Sequence, residues 1–156
     1  MDASSARRPA RSYRTGAAVK ALRTASVLGA LLIAAWMLLE HRGMPDGSGR
    51  RPEMLWGSLA MLATIALIAW GSKYPARLNY PFQITGQNAQ QVYREGERTL
   101  ALVAGALTVL DLGLARGGVG GASAGLEAAG LLLLATAMAI GIIRIIRAGR
   151  TGEQQS

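Results

Sequence analysis

Four apolar stretches alternate with polar ones along this chain. The uncharged runs Ala25–Leu39 and Met54–Gly71 have 15 and 18 residues. Thr99–Ala115 has 17, with one acid, Asp111, inside it. The fourth stretch runs from about Leu126 to Ile146. Eighteen residues make about 27 Å of helix, close to the ~30 Å hydrocarbon core of a bilayer. The first run alone gives only about 22 Å. Extended back to Ala17 it gives about 35 Å, and Lys20 and Arg23 then snorkel to the headgroups. The pattern predicts helices spanning a membrane at about 17–39, 54–71, 99–115 and 126–146.

A soluble four-helix bundle is the competing architecture, and its helices need a polar face. Met54–Gly71 offers only Ser58 and Thr64, and Ala128–Ile143 only Thr136. Helices apolar all round need lipid or a large core, and 156 residues cannot supply that core. The predicted fold is therefore all-α: an integral membrane four-helix bundle over residues 16–148. Trp56 opens the second span, Trp70 and Tyr74 close it, and Trp36 should lie level with Trp56, as interfacial aromatics do. Gly29, Ala30, Ala34, Gly105, Ala137 and Gly141 are small enough for close helix approach.

The stretch 73–98 organises the rest and holds three of the four tyrosines. Tyr74-Pro75 and Tyr80-Pro81 block a continuing helix. Thr85 is a suitable N-cap, and a helix from Gln87 should run unbroken into the third span. Ala89, Val92, Tyr93, Gly96 and Leu100 recur on one face, so that helix should lie against something. Gln90, Gln91, Arg94, Glu97 and Arg98 fill the remainder.

Basic residues give the orientation. Thirteen Lys and Arg lie in the N-terminal region, in 73–98 and after Arg144, against four in the other connectors. The positive-inside rule then puts both termini in the cytoplasm, with 73–98 as a cytoplasmic elbow and the third helix extended into the cytoplasm. Residues 1–15 are basic and polar and are expected to be a disordered tail, and residues 149–156 a polar one. A cleaved signal peptide is the rival reading of the first span, but AWMLLEHRG offers no small-x-small site.

In the connectors, Pro45-Asp46-Gly47 is strong turn chemistry, and Pro52 with Glu53 reads as a helix start. The glycine-rich stretch Gly113–Gly125 lacks the Lys-Ser/Thr end of a phosphate loop and is expected to be a flexible exterior hairpin. Outside a helix its G-x-x-x-G spacings would carry no packing.

Charge and chemistry narrow the function. The net charge of +8 flanks apolar spans instead of striping a soluble surface, which favours anionic lipid over nucleic acid. There is no cysteine and one histidine, His41, so thiol chemistry and clustered histidine metal sites are excluded. No catalytic triad, HExxH motif or paired acids is visible, and no cofactor is expected. His41 with Asp46 is better read as a solvated turn than as an acid–base pair. Asp111 is the candidate intramembrane polar group, since a carboxylate within a span is a functional hypothesis by default. Its place one turn from Arg116 suggests an interfacial acid paired there, with a buried proton or cation site as the alternative.

Two places resemble a known family. The connector HRGMPDGSGRR, with His41, Gly43, Pro45, Asp46 and Gly47, is similar to one segment of a bacterial family of small multi-span membrane proteins of unknown function. Some of its members are toxin-immunity proteins of the SdpI type. Asn79-Tyr80-Pro81, Thr85, Asn88-Ala89 and Tyr93-Arg94 resemble that family's second signature. The turn before the histidine departs from the pattern, with Leu38-Leu39-Glu40 in its place. The resemblance implies a membrane fold in a bacterial inner membrane and no catalytic mechanism.

The leading expectation is a non-enzymatic membrane protein acting by contact, with a membrane protein partner or as a homo-oligomer. Asn79, Tyr80, Pro81, Tyr93 and Arg94 are the candidate interaction residues. In a purely structural alternative, Tyr80 and Pro81 fold the loop under the bundle and Arg94 meets phosphate headgroups. A small transporter or transporter subunit is the other functional class. It would use Asp111 or the span threonines Thr64, Thr108 and Thr136.

Overall fold

The computed structural model describes residues 9–43 and 52–150. The Pro45-Asp46-Gly47 turn and the pairing of His41 with Asp46 lie outside them, as do residues 1–8 and 151–156. Among the described residues there are four long helices and no strand: α1 (Ala17–Gly43), α2 (Pro52–Gly71), α3 (Ala89–Gly118) and α4 (Ala124–Arg150). A single 3-10 turn, Pro75–Arg77, interrupts the α2–α3 connection. All four helices are long and apolar enough to cross a membrane, the make-up of a multi-pass membrane protein. Large apolar side chains such as Leu32, Leu67, Leu102 and Leu132 point outward from each of them. Apolar surface on that scale calls for lipid.

The helices do not surround one central core. α3 packs on all three others, and α1 and α2 also pack on each other. α4 lies along α3 and has no comparable contact with α1 or α2. The fold is thus a triad of α1, α2 and α3 with α4 laid on the far side of the hub.

Small residues set these contacts. Ala30, Ile65 and Ala104 meet where the triad converges, and a second cluster joins Ile33, Met37 and Ala115. Trp36 packs on that second cluster together with Met54 and Leu55, level with the start of α2. A Cβ on Gly29 would stand 2.9 Å from Thr108 Cγ2. Between α3 and α4 the approach is closer still. A Cβ on Gly130 would lie 2.6 Å from Leu110 Cα, and one on Gly113 2.8 Å from the Glu127 nitrogen. Backbone on both sides leaves no room to yield, so these positions set the α3–α4 distance.

The glycine-rich stretch differs from its expectation. Gly113 and Gly117 lie within α3, Gly125 lies within α4, and only residues 119–123 connect them. Close packing on α4 offsets the helix-propensity cost of glycine, about 1 kcal/mol per residue. So Gly113 and Gly117, four apart, do carry packing. Both face the first turn of α4, at Ser123 and Glu127. α3 then ends in a Schellman arrangement. Gly121 N–H donates to the Arg116 carbonyl at 2.8 Å and Gly120 N–H to Gly117 at 3.1 Å. Gly120 takes the positive φ of 81° that this cap requires.

Candidate functional site

The elbow is held by a short sequence of local decisions. Pro75 starts a 3-10 turn that α2 cannot enter as α-helix. Pro75's carbonyl accepts the Leu78 N–H that closes the turn at 3.2 Å and the Tyr80 hydroxyl as a second donor at 3.0 Å. Tyr80 then lies on Gly96 of α3, where a Cβ would stand 2.5 Å from its hydroxyl oxygen. Its ring sits 6.1 Å from Tyr93 and 6.2 Å from Phe82. Phe82 in turn fills the space over Gly149 near the end of α4.

Thr85 and Asn88 form a reciprocal pair before α3. Thr85 N–H donates to Asn88 Oδ1 at 2.9 Å, and Asn88 N–H to Thr85 Oγ1 at 3.4 Å. This is the reciprocal bonding of a capping box with asparagine in place of glutamate, set one turn ahead of α3, which begins at Ala89 behind Asn88 and not at Gln87. The Asn88 amide also donates to the Gln83 carbonyl at 3.2 Å and the Gly149 carbonyl at 3.3 Å. One buried side chain therefore ties together the elbow, the start of α3 and the end of α4.

The segment before α1 completes the layer. Residues 9–15 were expected to be part of a free tail. They lie instead as a strap against α3, because a buried acid there needs positive charge. Glu97 is 2% exposed. Arg11 reaches it at 3.0 Å, Arg23 of α1 at 3.6 Å, and the Thr15 hydroxyl donates to it at 2.7 Å. Arg11 also bonds the Thr15 hydroxyl. Gln90 grips the strap from α3, donating to the Ala10 carbonyl at 2.7 Å and accepting from Ser12 N–H at 2.8 Å. Burial, reinforced by the negative charge of Glu97, pushes the Tyr13 phenol above its ordinary pKa.

The five elbow residues divide into two groups. Tyr93 is fully buried and Tyr80 half-buried, so neither presents itself as a contact residue. They are the frame. Asn79, Pro81 and Arg94 are exposed on it. Arg94 stacks over Tyr13 at 5.3 Å, and with Arg14 and Arg98 it lines a cavity of about 320 Å³. Glu97 was missed as part of the site because its charge assigned it to the solvated face. Its spacing was the available signal: Ala89, Tyr93, Glu97 and Ala101 follow one another every four residues and are all buried.

Asp111 sits at the other end of α3. It is 2% exposed. Its partner is not Arg116 but Ser58 of α2, whose hydroxyl donates to Oδ1 at 3.3 Å. The second oxygen, Oδ2, is enclosed without a hydrogen-bond partner. Asp111 lines a cleft of about 450 Å³ between α2 and α3, which Glu127 of α4 borders. Thr64 also borders it, but the Thr64 hydroxyl is turned back to the Ala60 carbonyl at 2.9 Å. Among the described residues no three His, Cys, Asp or Glu side chains come together as a metal site.

No family model, curated protein or solved structure matches the chain.

Proposed function

We propose that this chain is a non-enzymatic integral membrane protein that works by contact with another membrane protein, in immunity, sensing or complex assembly. One observation carries the reading: the α2–α3 connection is far more built than a linker. Helix–helix connections usually need about 2–8 residues. This one uses seventeen, 72–88, between Gly71 and Ala89. They spend three anchorages, the half-buried Tyr80 and Phe82 and the buried Asn88, on holding Asn79 and Pro81 outward. Ordered loops of that length are where contact functions concentrate. The basic-residue asymmetry supports a cytoplasmic elbow, both termini inside, and an α3 whose first ten residues stand clear of the bilayer. The signature residues from Asn79 to Arg94 support placement in the bacterial small membrane protein family, in an inner membrane.

The test is photo-crosslinking in native membranes from a reactive residue at Asn79 or at Arg94, followed by mass spectrometry of the adducts. A discrete protein adduct from both positions is expected. Adducts only to the chain itself or to lipid would reduce the elbow to internal architecture.

A second reading, a transporter subunit, is favoured by Asp111 alone. A buried carboxylate with one oxygen unpartnered is costly at membrane depth and is retained where a positive ligand meets it. Loss of a flux with Asp111→Asn would support it, and a silent replacement would remove it.

A further inference from the structure

The cleft beside Asp111 has a composition that selects its ligand. Three acids line it, Glu53, Asp111 and Glu127, and among the described residues no Lys or Arg does. Glu53 and Glu127 lie in the first turns of α2 and α4, where the helix dipoles already offset a negative charge. Asp111 lies two turns before the end of α3, where no helix N-terminus offsets its charge. Its charge is the one the protein leaves unmatched. Ser58 fixes Oδ1, and Oδ2 is held buried and without a donor.

The remaining lining is mostly apolar, including Met54, Met61 and Leu114. A hard divalent cation needs about six oxygen ligands and finds one deep carboxylate here. An elongated ligand with one cationic head and an apolar body finds both of its halves met.

We propose that this cleft binds an amphipathic organic cation, an alkyl ammonium or alkyl guanidinium, whose N–H groups donate to Asp111. Glu53 and Glu127 draw the cation to the mouth, and the methionines and Leu114 cover the alkyl chain. Access is from the end of the bundle opposite the elbow. The site gives the transport reading a ligand class but does not require the ligand to cross the membrane. Binding without flux would leave the site standing and remove that reading. The elbow reading is independent of both.

Gly57 provides the control. It lines the cleft, and a Cβ there meets nothing within 4 Å. Gly57→Leu therefore adds bulk to the cleft lining from a position where its first side-chain carbon meets no neighbour. The experiment is calorimetric titration of hexylguanidinium into the full chain in phosphatidylcholine nanodiscs, with hexanol as the uncharged control. Saturable one-to-one binding of the cation and none of the alcohol is expected. Asp111→Asn should weaken it at least about tenfold, as loss of a charge-assisted bond does. Gly57→Leu should abolish it with helicity unchanged. Glu53→Gln or Glu127→Gln should cost less than about threefold, since those charges are screened. Equal binding by wild type and both Asp111→Asn and Gly57→Leu, equal binding of hexanol, or no saturable binding to the wild type would overturn the proposal.

Discussion

Glu97 of α3 and Arg11 of the strap meet at 3.0 Å across 86 positions of sequence. The contact decides the character of this end of the molecule. A carboxylate that is 2% exposed is tolerable only with its charge met. Two arginines and a threonine hydroxyl meet it, and in doing so pin the strap over the elbow helix. Glu97→Ala leaves Arg11 and Arg23 facing a void and should destabilise the fold by about 3 kcal/mol, read from unfolding in mixed micelles. Arg11→Met leaves Arg23 in place and should cost about 1 kcal/mol. Equal effects of the two replacements would mean that Arg23 does not share the charge.

Tyr80 and Gly96 form a matched pair. Gly96→Ala puts a methyl group 2.5 Å from the Tyr80 hydroxyl oxygen. The ring must move and its bond to the Pro75 carbonyl is lost, at about 1–3 kcal/mol. Tyr80→Phe removes the clashing atom and leaves the ring carbon at an ordinary 3.4 Å. The double variant should therefore be more stable than Gly96→Ala alone, a non-additivity that a double-mutant cycle measures directly.

Gly130 and Gly57 make the opposite comparison. Gly130→Ala meets the α3 backbone at Leu110, which cannot yield, and should push α4 from α3 at a cost of about 1–3 kcal/mol. Gly57→Ala meets open space and should stabilise α2 by up to about 1 kcal/mol through helix propensity. Thermal melts of the two single variants, run in one detergent, check the sign of each.

The division between what was legible in sequence and what was not follows from range. Four apolar stretches of near-spanning length announce four helices, because insertion depends on local hydropathy. Thr85 was legible as a hydrogen-bonding turn residue ahead of α3, because that chemistry is local, although the helix itself begins at Ala89 behind Asn88. Glu97, Arg11 and Ser58 were not legible, because each acquires its role from a partner more than fifty positions away. Tyr80 and Tyr93 were read as contact residues on residue type, and their packing inside the elbow was not legible. Tyr80 has a glycine to lie on and Tyr93 is enclosed beside it. The stretch Gly113–Gly125 reads as a loop by composition, and the fit of α4 against Gly113 keeps most of it helical.

Tyr13 gives the strap a pH limit. Its phenol is raised in the folded chain by burial and by Glu97, with Arg11 pulling the other way and Tyr80 adding slightly to the rise. The folded state therefore holds the proton longer than the unfolded chain does. Stability from the strap should be complete below about pH 10, the ordinary tyrosine value, and should fall as pH rises above it. Tyr13→Phe should remove that alkaline fall. Phenolate absorbance and unfolding midpoints, followed together from pH 9 upward, check the sign.

The central claim is that strap, elbow and the first turns of α3 are one packed body, standing ready before any partner arrives. Hydrogen–deuterium exchange of the chain alone, in nanodiscs, tests it most directly. The amides of Ala89 and Val92, bonded to the Thr85 and Asn88 carbonyls at 3.0 Å each, and those through Arg98 should be protected for minutes or longer. Glu97→Ala should release them while leaving residues 101–115 protected. Exchange of residues 89–98 at the rate of a free peptide in the wild-type chain would contradict the account.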